Sequence, residues 1–190
     1  MAYNIQNLTS CTPQPGRIYL FDANVWRYVL LAPPSITPYE QAYVDFFQRA
    51  FQLAIDQTSD NRPKIFVNPI LLSEVYHACM KIHLDAYNEG VMEDISMKQY
   101  REKHHYKTRK AALLSDIEIY RGALIASTTQ AVDCLETLIS IPEFCDYADH
   151  FYAKNAAANN MILVTMDGDF KFEDIEIISG NGNLLKLMRP

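Results

Sequence analysis

DYADHFYAKNAAANNMILVTMDGDF, residues 146–170, is the stretch whose reading decides how the chain folds. Its first part predicts a helix over about 145–158. Asp146 stands where an N-cap acid belongs, because an Asp side chain there accepts a hydrogen bond from an otherwise unpaired backbone N–H. Ala153, Ala156, Ala157 and Asn160 follow Asp149 at spacings of four, seven, eight and eleven, which is one helix face. That face is small enough to pack closely on a sheet. Asp149 sits at its head, where the helix N-terminus favours a carboxylate. Asn159-Asn160 is a helix stop. The next run, 161–165 (MILVT), is short and apolar and reads as a buried strand. Met166-Asp167-Gly168-Asp169 then reads as a turn.

The same alternation extends outward in both directions. Residues 17–21 (RIYLF) are an apolar run ending at Asp22, followed by a helix over 23–31 that stops before Pro33-Pro34. Thr37-Pro38-Tyr39-Glu40 is a capping box with Pro at the first helical position, opening a helix to about residue 57. Residues 59–63 (SDNRP) form a turn cluster. Residues 64–67 (KIFV) are a second strand, and Asn68-Pro69 caps a helix over about 70–87. Residues 88–95 read as a loop, 96–127 as broken helical stretches and 129–139 as helical. A turn at Pro142 precedes the helix already described, and 175–179 (IEIIS) is a late strand. Short apolar strands alternating with long helices predict α/β architecture: a three-layer α/β/α fold on a largely parallel sheet of 4–5 strands. Residues 1–16 read as a loose leader. Residues 17–190 read as a single domain carrying a helical insertion at about 88–127.

The 190 residues suit one domain and are enough to bury a substantial core. With 49% hydrophobic and 21% charged residues, wholesale disorder is excluded. No signal peptide or membrane span is evident, since the apolar stretch 18–32 is broken by Asp22, Asn24 and Arg27. The four cysteines, Cys11, Cys79, Cys134 and Cys145, form no CxxC pair. Reduced thiols and a cytoplasmic location are therefore expected.

In a parallel sheet, ligand sites form at the carboxyl ends of the strands. Asp22 follows the first strand and Asp167 and Asp169 follow the third. Glu74, Asp146 and Asp149 stand near the starts of helices that begin at that same edge. Each has an ordinary explanation alone, as a cap, a turn or a solvated helix residue. Their joint placement predicts a site. Two carboxylates 4 Å apart repel by about 4 kcal/mol at an effective dielectric near 20. Such a cluster must take up protons or bind a cation, and hard oxygen donors favour Mg²⁺ or Mn²⁺ over zinc. A carboxylate-held Mg²⁺ commonly acts on phosphate esters.

These pieces resemble the PIN-domain nucleases, and are similar to the VapC-type toxins of toxin–antitoxin pairs. FDANVW (21–26), NPILLSEVYHA (68–78), residues 146–170 and IEIIS carry the resemblance. Residues 86–127 have no clear counterpart. The resemblance implies a metal-dependent endoribonuclease that hydrolyses an RNA phosphodiester using Mg²⁺ or Mn²⁺. Asp22, Glu74, Asp149 and Asp167 would be its catalytic, metal-holding acids, and Asp169 a near-equivalent of the last. Asn24, Asp146 and Thr165 would support them. It also implies dimerisation, and for toxin-type members a small antitoxin partner. A catalytically silent PIN-like RNA- or protein-binding module is the alternative. Haloacid dehalogenase-type phosphatase chemistry needs an Asp where Asn24 stands, and a Toprim-like site would leave Asp22 and Asp149 unexplained.

Net charge is −6, which alone argues against a nucleic-acid partner. The charge is unevenly spread. Residues 98–110 (KQYREKHHYKTRK) hold Lys98, Arg101, Lys103, Lys107, Arg109 and Lys110 against Glu102, a net +5 that leaves −11 for the rest of the chain. With Tyr100, His104, His105 and Tyr106 available to stack on bases, this segment reads either as an RNA guide or as a solvated helix face. His150 reads as a surface or packing histidine.

Overall fold

The computed structural model describes residues 3–33, 35–56, 61–126 and 131–188. In chain order its strands are β1 (Asn4–Asn7), β2 (Ile18–Phe21), β3 (Lys64–Phe66), β4 (Leu124–Ile125), β5 (Ile162–Val164) and β6 (Glu176–Ser179). Its α-helices are α1 (Ala23–Leu31), α2 (Pro38–Asp56), α3 (Pro69–Val91), α4 (Met97–Tyr100), α5 (His104–Ile119), α6 (Cys134–Ile139), α7 (Tyr147–Asn159) and α8 (Gly182–Leu185).

The strands form one sheet in the order β1-β6-β5-β2-β3-β4, and every pairing is parallel. The architecture is the expected three-layer α/β/α, with six strands instead of four or five. The two additions correct the reading of the chain. β1 (NIQN) lies in the supposed leader and pairs Ile5 with Ile177 at the sheet edge. β4 lies inside the segment expected to be helical and pairs Ile65 with Leu124. The helix expected over 70–87 runs on to Val91 and so takes the first part of the expected loop. Of the helix expected over 129–139, residues 129 and 130 lie outside the described residues, and Cys134–Ile139 is helical. The turn cluster at 59–63 is described only from Asn61 onward.

Central strands covered on both faces are apolar throughout, which is why β2 and β5 read as unbroken runs. Tyr19 and Phe21, two residues apart on β2, point to the same face and meet α2. The Tyr19–Phe46 rings stand 5.7 Å apart and the Phe21–Phe47 rings 4.8 Å apart. Trp26 joins Phe47 at 4.8 Å, and Tyr120 packs against Trp26, Phe47 and Phe51 at 5.8, 5.2 and 4.9 Å. Tyr120 thus ties the end of the helical insertion to the core just before β4.

The Thr37–Glu40 capping box forms in both directions. Thr37 N–H donates to Glu40 Oε2 at 2.8 Å, and Glu40 N–H donates to Thr37 Oγ1 at 3.2 Å. On α7 the buried face differs from the one expected. Ala153 and Ala156 are buried, but they share the face with Ala148 and Tyr152, while Ala157 and Asn160 are exposed. The helix is rotated because the large ring of Tyr152 takes the central inward position. Asn160 ends the helix in the left-handed conformation (φ 51°), with its N–H on Ala156 O. Among the described residues no helix is long and apolar enough to cross a membrane, and no cysteine is in a disulfide.

Candidate functional site: an acidic cleft at the switch point of the sheet

From β2 the chain proceeds to one side, through β3 and β4, while β5 lies on the other side. Where strand order reverses, the loops leaving adjacent strands part and open a crevice at the carboxyl edge. Asp22 directly follows β2, and Asp167 follows β5 by three residues. A cleft of about 330 Å³ lies there, lined by Asp22, Asn24, Glu74, Asp146, Asp149, Tyr152, Asp167 and Phe170, with Ala23 and Ala78. Five carboxylates from four separate parts of the chain therefore share one opening, and no Lys, Arg or His is among the described lining residues.

Each acid is fixed by local structure. Asp22 is buried at 4% exposure and caps α1, its Oδ1 accepting from Val25 N–H at 2.9 Å. Its Oδ2 accepts from the Thr165 hydroxyl and from Met166 N–H at 3.1 Å. Thr165 Oγ1 in turn accepts from Asp167 N–H at 2.9 Å, so one buried hydroxyl links the acids that follow β2 and β5. Asp167 Oδ1 accepts from Asp169 N–H at 2.9 Å, closing an Asx turn. That turn carries Asp169 away from the cleft. Asp169 is exposed, is not among the lining residues and stands 3.9 Å from Lys171.

Glu74 lies on α3, whose first turn is set by the Asn68 cap (Oδ1 from Leu71 N–H, 2.9 Å) and Pro69. Its Oε2 accepts from the Tyr152 hydroxyl. Asp146 caps α7 by accepting from Asp149 N–H at 3.0 Å, which places both acids at the same mouth. Asn24 is exposed at the rim.

The electrostatics follow from this crowding. Burial pushes the Asp149 carboxyl up to about 7, and the charges of Asp146, Asp167, Glu74 and Asp22 add to the rise. The rise occurs against the α7 N-terminus, which favours the anion. Burial also raises Asp22, although hydrogen bonds from Thr165, Val25, Met166 and Asn24 pull the other way. Glu74 is raised by burial and by Asp146 and Asp22, and is lowered by the bond from Tyr152. The field reaches Cys145, whose thiol is pushed up to about 11 by burial and then by Asp149 and Asp146.

The donors are hard oxygens with no balancing cation in the lining, which suits Mg²⁺ or Mn²⁺ and not a soft metal. Among the described residues, no three His, Cys, Asp or Glu side chains are disposed to close on a single ion. Mg²⁺ commonly keeps several waters and takes only one or two carboxylates directly.

The basic segment divides over two surfaces and does not line the cleft. Arg101, Lys107 and Lys110 edge a shallow depression of about 440 Å³ with Tyr106, Ala111 and Leu114. Arg109 faces His83, Leu30, Leu31 and Asp116. Lys98 is exposed and Lys103 half-buried. Tyr100 is fully buried and Tyr106 nearly so, which leaves little of either ring to stack on bases. Tyr100 meets His105 Nδ1 at 2.7 Å, and Tyr106 meets the Tyr76 hydroxyl on α3 at 2.5 Å. His150 is a packing histidine, buried beside Phe172 with Nε2 3.4 Å from Ser140 Oγ.

Tyr152 was not identified from sequence as part of the site. Its one signal is its place three residues after Asp149, one turn further along the same side of the helix.

No family model matches the chain, and no curated protein matches it. The crystal structure of PAE2754 from Pyrobaculum aerophilum is similar over 90% of this chain and 90% of that one, at 16% identity and a TM-score of 0.45.

Proposed function

We propose that the chain is a PIN-like, metal-dependent endoribonuclease hydrolysing RNA phosphodiester bonds, and that it acts as the toxin of a toxin–antitoxin pair. The observation that carries the nuclease reading is the convergence of five carboxylates on the switch-point cleft with no basic group in the described lining. The reading as a toxin, with an antitoxin and a homodimer as partners, rests on the resemblance of 21–26, 68–78 and 146–170 to that family.

Asp22, Glu74, Asp149 and Asp167 would hold Mg²⁺ or Mn²⁺, directly or through water, and Asp146 would add charge at the rim. The ion, when bound, lowers the pKa of a water and offsets the charge developing on the phosphate. The protein's own part is positional. Thr165 and the backbone of Val25 and Met166 hold the Asp22 carboxylate in one orientation. The Asx turn holds Asp167, and the α7 cap holds Asp149 at the mouth. Without a cation the cleft would repel RNA, so the same ion would also admit the substrate. Lys107 and Lys110 on α5, which packs on α3, and Arg101 just before it would take the phosphates of flanking nucleotides.

Wild type incubated with mixed RNA and Mg²⁺ or Mn²⁺ should produce cleavage that EDTA stops, and Asp22→Asn should not cleave. An inert wild type whose melting temperature is unmoved by either metal would leave the silent binding module as the better reading. Changing Arg101, Lys107 and Lys110 together to Glu should weaken RNA binding and flatten the slope of log affinity against log salt by about 2. An unchanged slope would remove the basic segment from the substrate path.

A further inference from the structure

Tyr152 is only 1% exposed, yet its hydroxyl reaches the wall of the acidic cleft and donates to Glu74 Oε2 across 78 positions of sequence. It lies on the buried face of α7 with Ala148, Ala153 and Ala156. Glu74 stands on a different helix and is half-buried. A long carboxylate side chain at such a place has several rotamers open to it, some of them pointing to solvent. A phenol can donate one hydrogen bond, and here it is spent on one oxygen of that carboxylate. The bond selects the rotamer that keeps Glu74 in the cleft and leaves its second oxygen, Oε1, for another partner. Asp22 has the equivalent support from Thr165 and Met166. Among the described residues, Tyr152 is the group that gives Glu74 comparable support.

We infer that Tyr152 is a positioning residue: its buried hydroxyl aims the Glu74 carboxylate into the acidic cleft so that Glu74 contributes to divalent-cation binding. This rests on the metal-site reading of the cleft. Groups that orient a metal-binding carboxylate from behind typically change metal affinity by about 10–100-fold when removed. A tyrosine that merely filled the core would leave metal affinity unchanged once its ring was retained.

The test is Mn²⁺ titration calorimetry on wild type, Tyr152→Phe, Glu74→Gln and the double variant, with melting of each metal-free protein as a check on folding. Tyr152→Phe keeps the ring and removes the hydroxyl. It should weaken Mn²⁺ binding about tenfold while the variant still melts cooperatively. In the Glu74→Gln background the same change should have little further effect, because the group it positions is gone. Equal Mn²⁺ affinity in wild type and Tyr152→Phe would overturn the positioning role and leave the metal site standing. An equal loss with or without the Glu74 carboxylate would also overturn it. A wild type that binds no Mn²⁺ would overturn the metal reading itself.

Discussion

Asp149→Asn should cut metal-dependent RNA cleavage at least about 100-fold and, in the same preparation, make the metal-free protein more stable at pH 8. The loss of activity follows from removing one of the carboxylates proposed to hold the ion, whose charge stabilisation is worth several kcal/mol. The gain in stability follows from the burial of this carboxyl and from the charges crowded around it. In the unfolded chain this carboxyl ionises near its ordinary value of 3.8, and in the fold at about 7. Between those values the folded state binds the extra proton, so stability falls as pH rises. The destabilisation is absent below about pH 4 and complete above about pH 7. Asn resembles the neutral carboxyl and escapes it. Because the side chain is partly exposed, the effect is put at about 1 kcal/mol, or about 2–4 °C in melting temperature for a chain of this size. The difference between variant and wild type should vanish at pH 4. A variant that is less stable than wild type at pH 8 in EDTA would show that burial and the neighbouring acids do not penalise the charged carboxylate as its placement requires.

Thr165→Val should be costly in both stability and activity. The two side chains have nearly the same shape, but Thr165 is fully buried and its hydroxyl is bonded in both directions, donating to Asp22 and accepting from Asp167 N–H. Valine would leave a buried carboxylate short of one donor and a backbone N–H without its acceptor. Losing such a pair costs about 2–3 kcal/mol, or roughly 5–10 °C. Activity should fall about 10–100-fold, because both linked acids lose orientation. Urea unfolding and RNA cleavage read the two effects, and Thr165→Ser, which keeps the hydroxyl, should recover most of both. A stability change under 0.5 kcal/mol (roughly the noise of a surface substitution) would mean that the hydroxyl does not link the acids.

The strands that surround the site were legible because central parallel strands must be apolar on both faces, and 18–21, 65–66 and 162–164 are. β1 was not legible. It is an edge strand of sequence NIQN with one buried apolar residue, Ile5, and its place depends on β6, some 170 residues away. β4 has two residues, too few for any periodicity, and lies where the neighbouring composition reads as helix. The acids were legible for a topological reason. Knowing that a strand ends at Phe21 and another at Val164 puts Asp22 and Asp167 at one edge, whatever the side chains do. What could not be read was how side chains were shared out. Asp169 follows the same strand as Asp167, but an Asx turn directs it outward. Tyr100 and Tyr106 sit among cations, yet pack inward against the neighbouring helix. Tyr152 looked like one more aromatic, and its partner Glu74 appears only when α3 and α7 are brought together.

The most direct test is to titrate metal-free wild type with Mn²⁺ at pH 7 in two buffers of different ionisation enthalpy. Metal ligands must be deprotonated to bind, and a carboxyl pushed up to about 7 is roughly half protonated at that pH. Binding should therefore release about half a proton at pH 7 and almost none at pH 8.5, and the release should disappear in Asp149→Asn. No Mn²⁺ binding, or binding that releases no proton at pH 7, would contradict a cation site built on the crowded acids of this cleft.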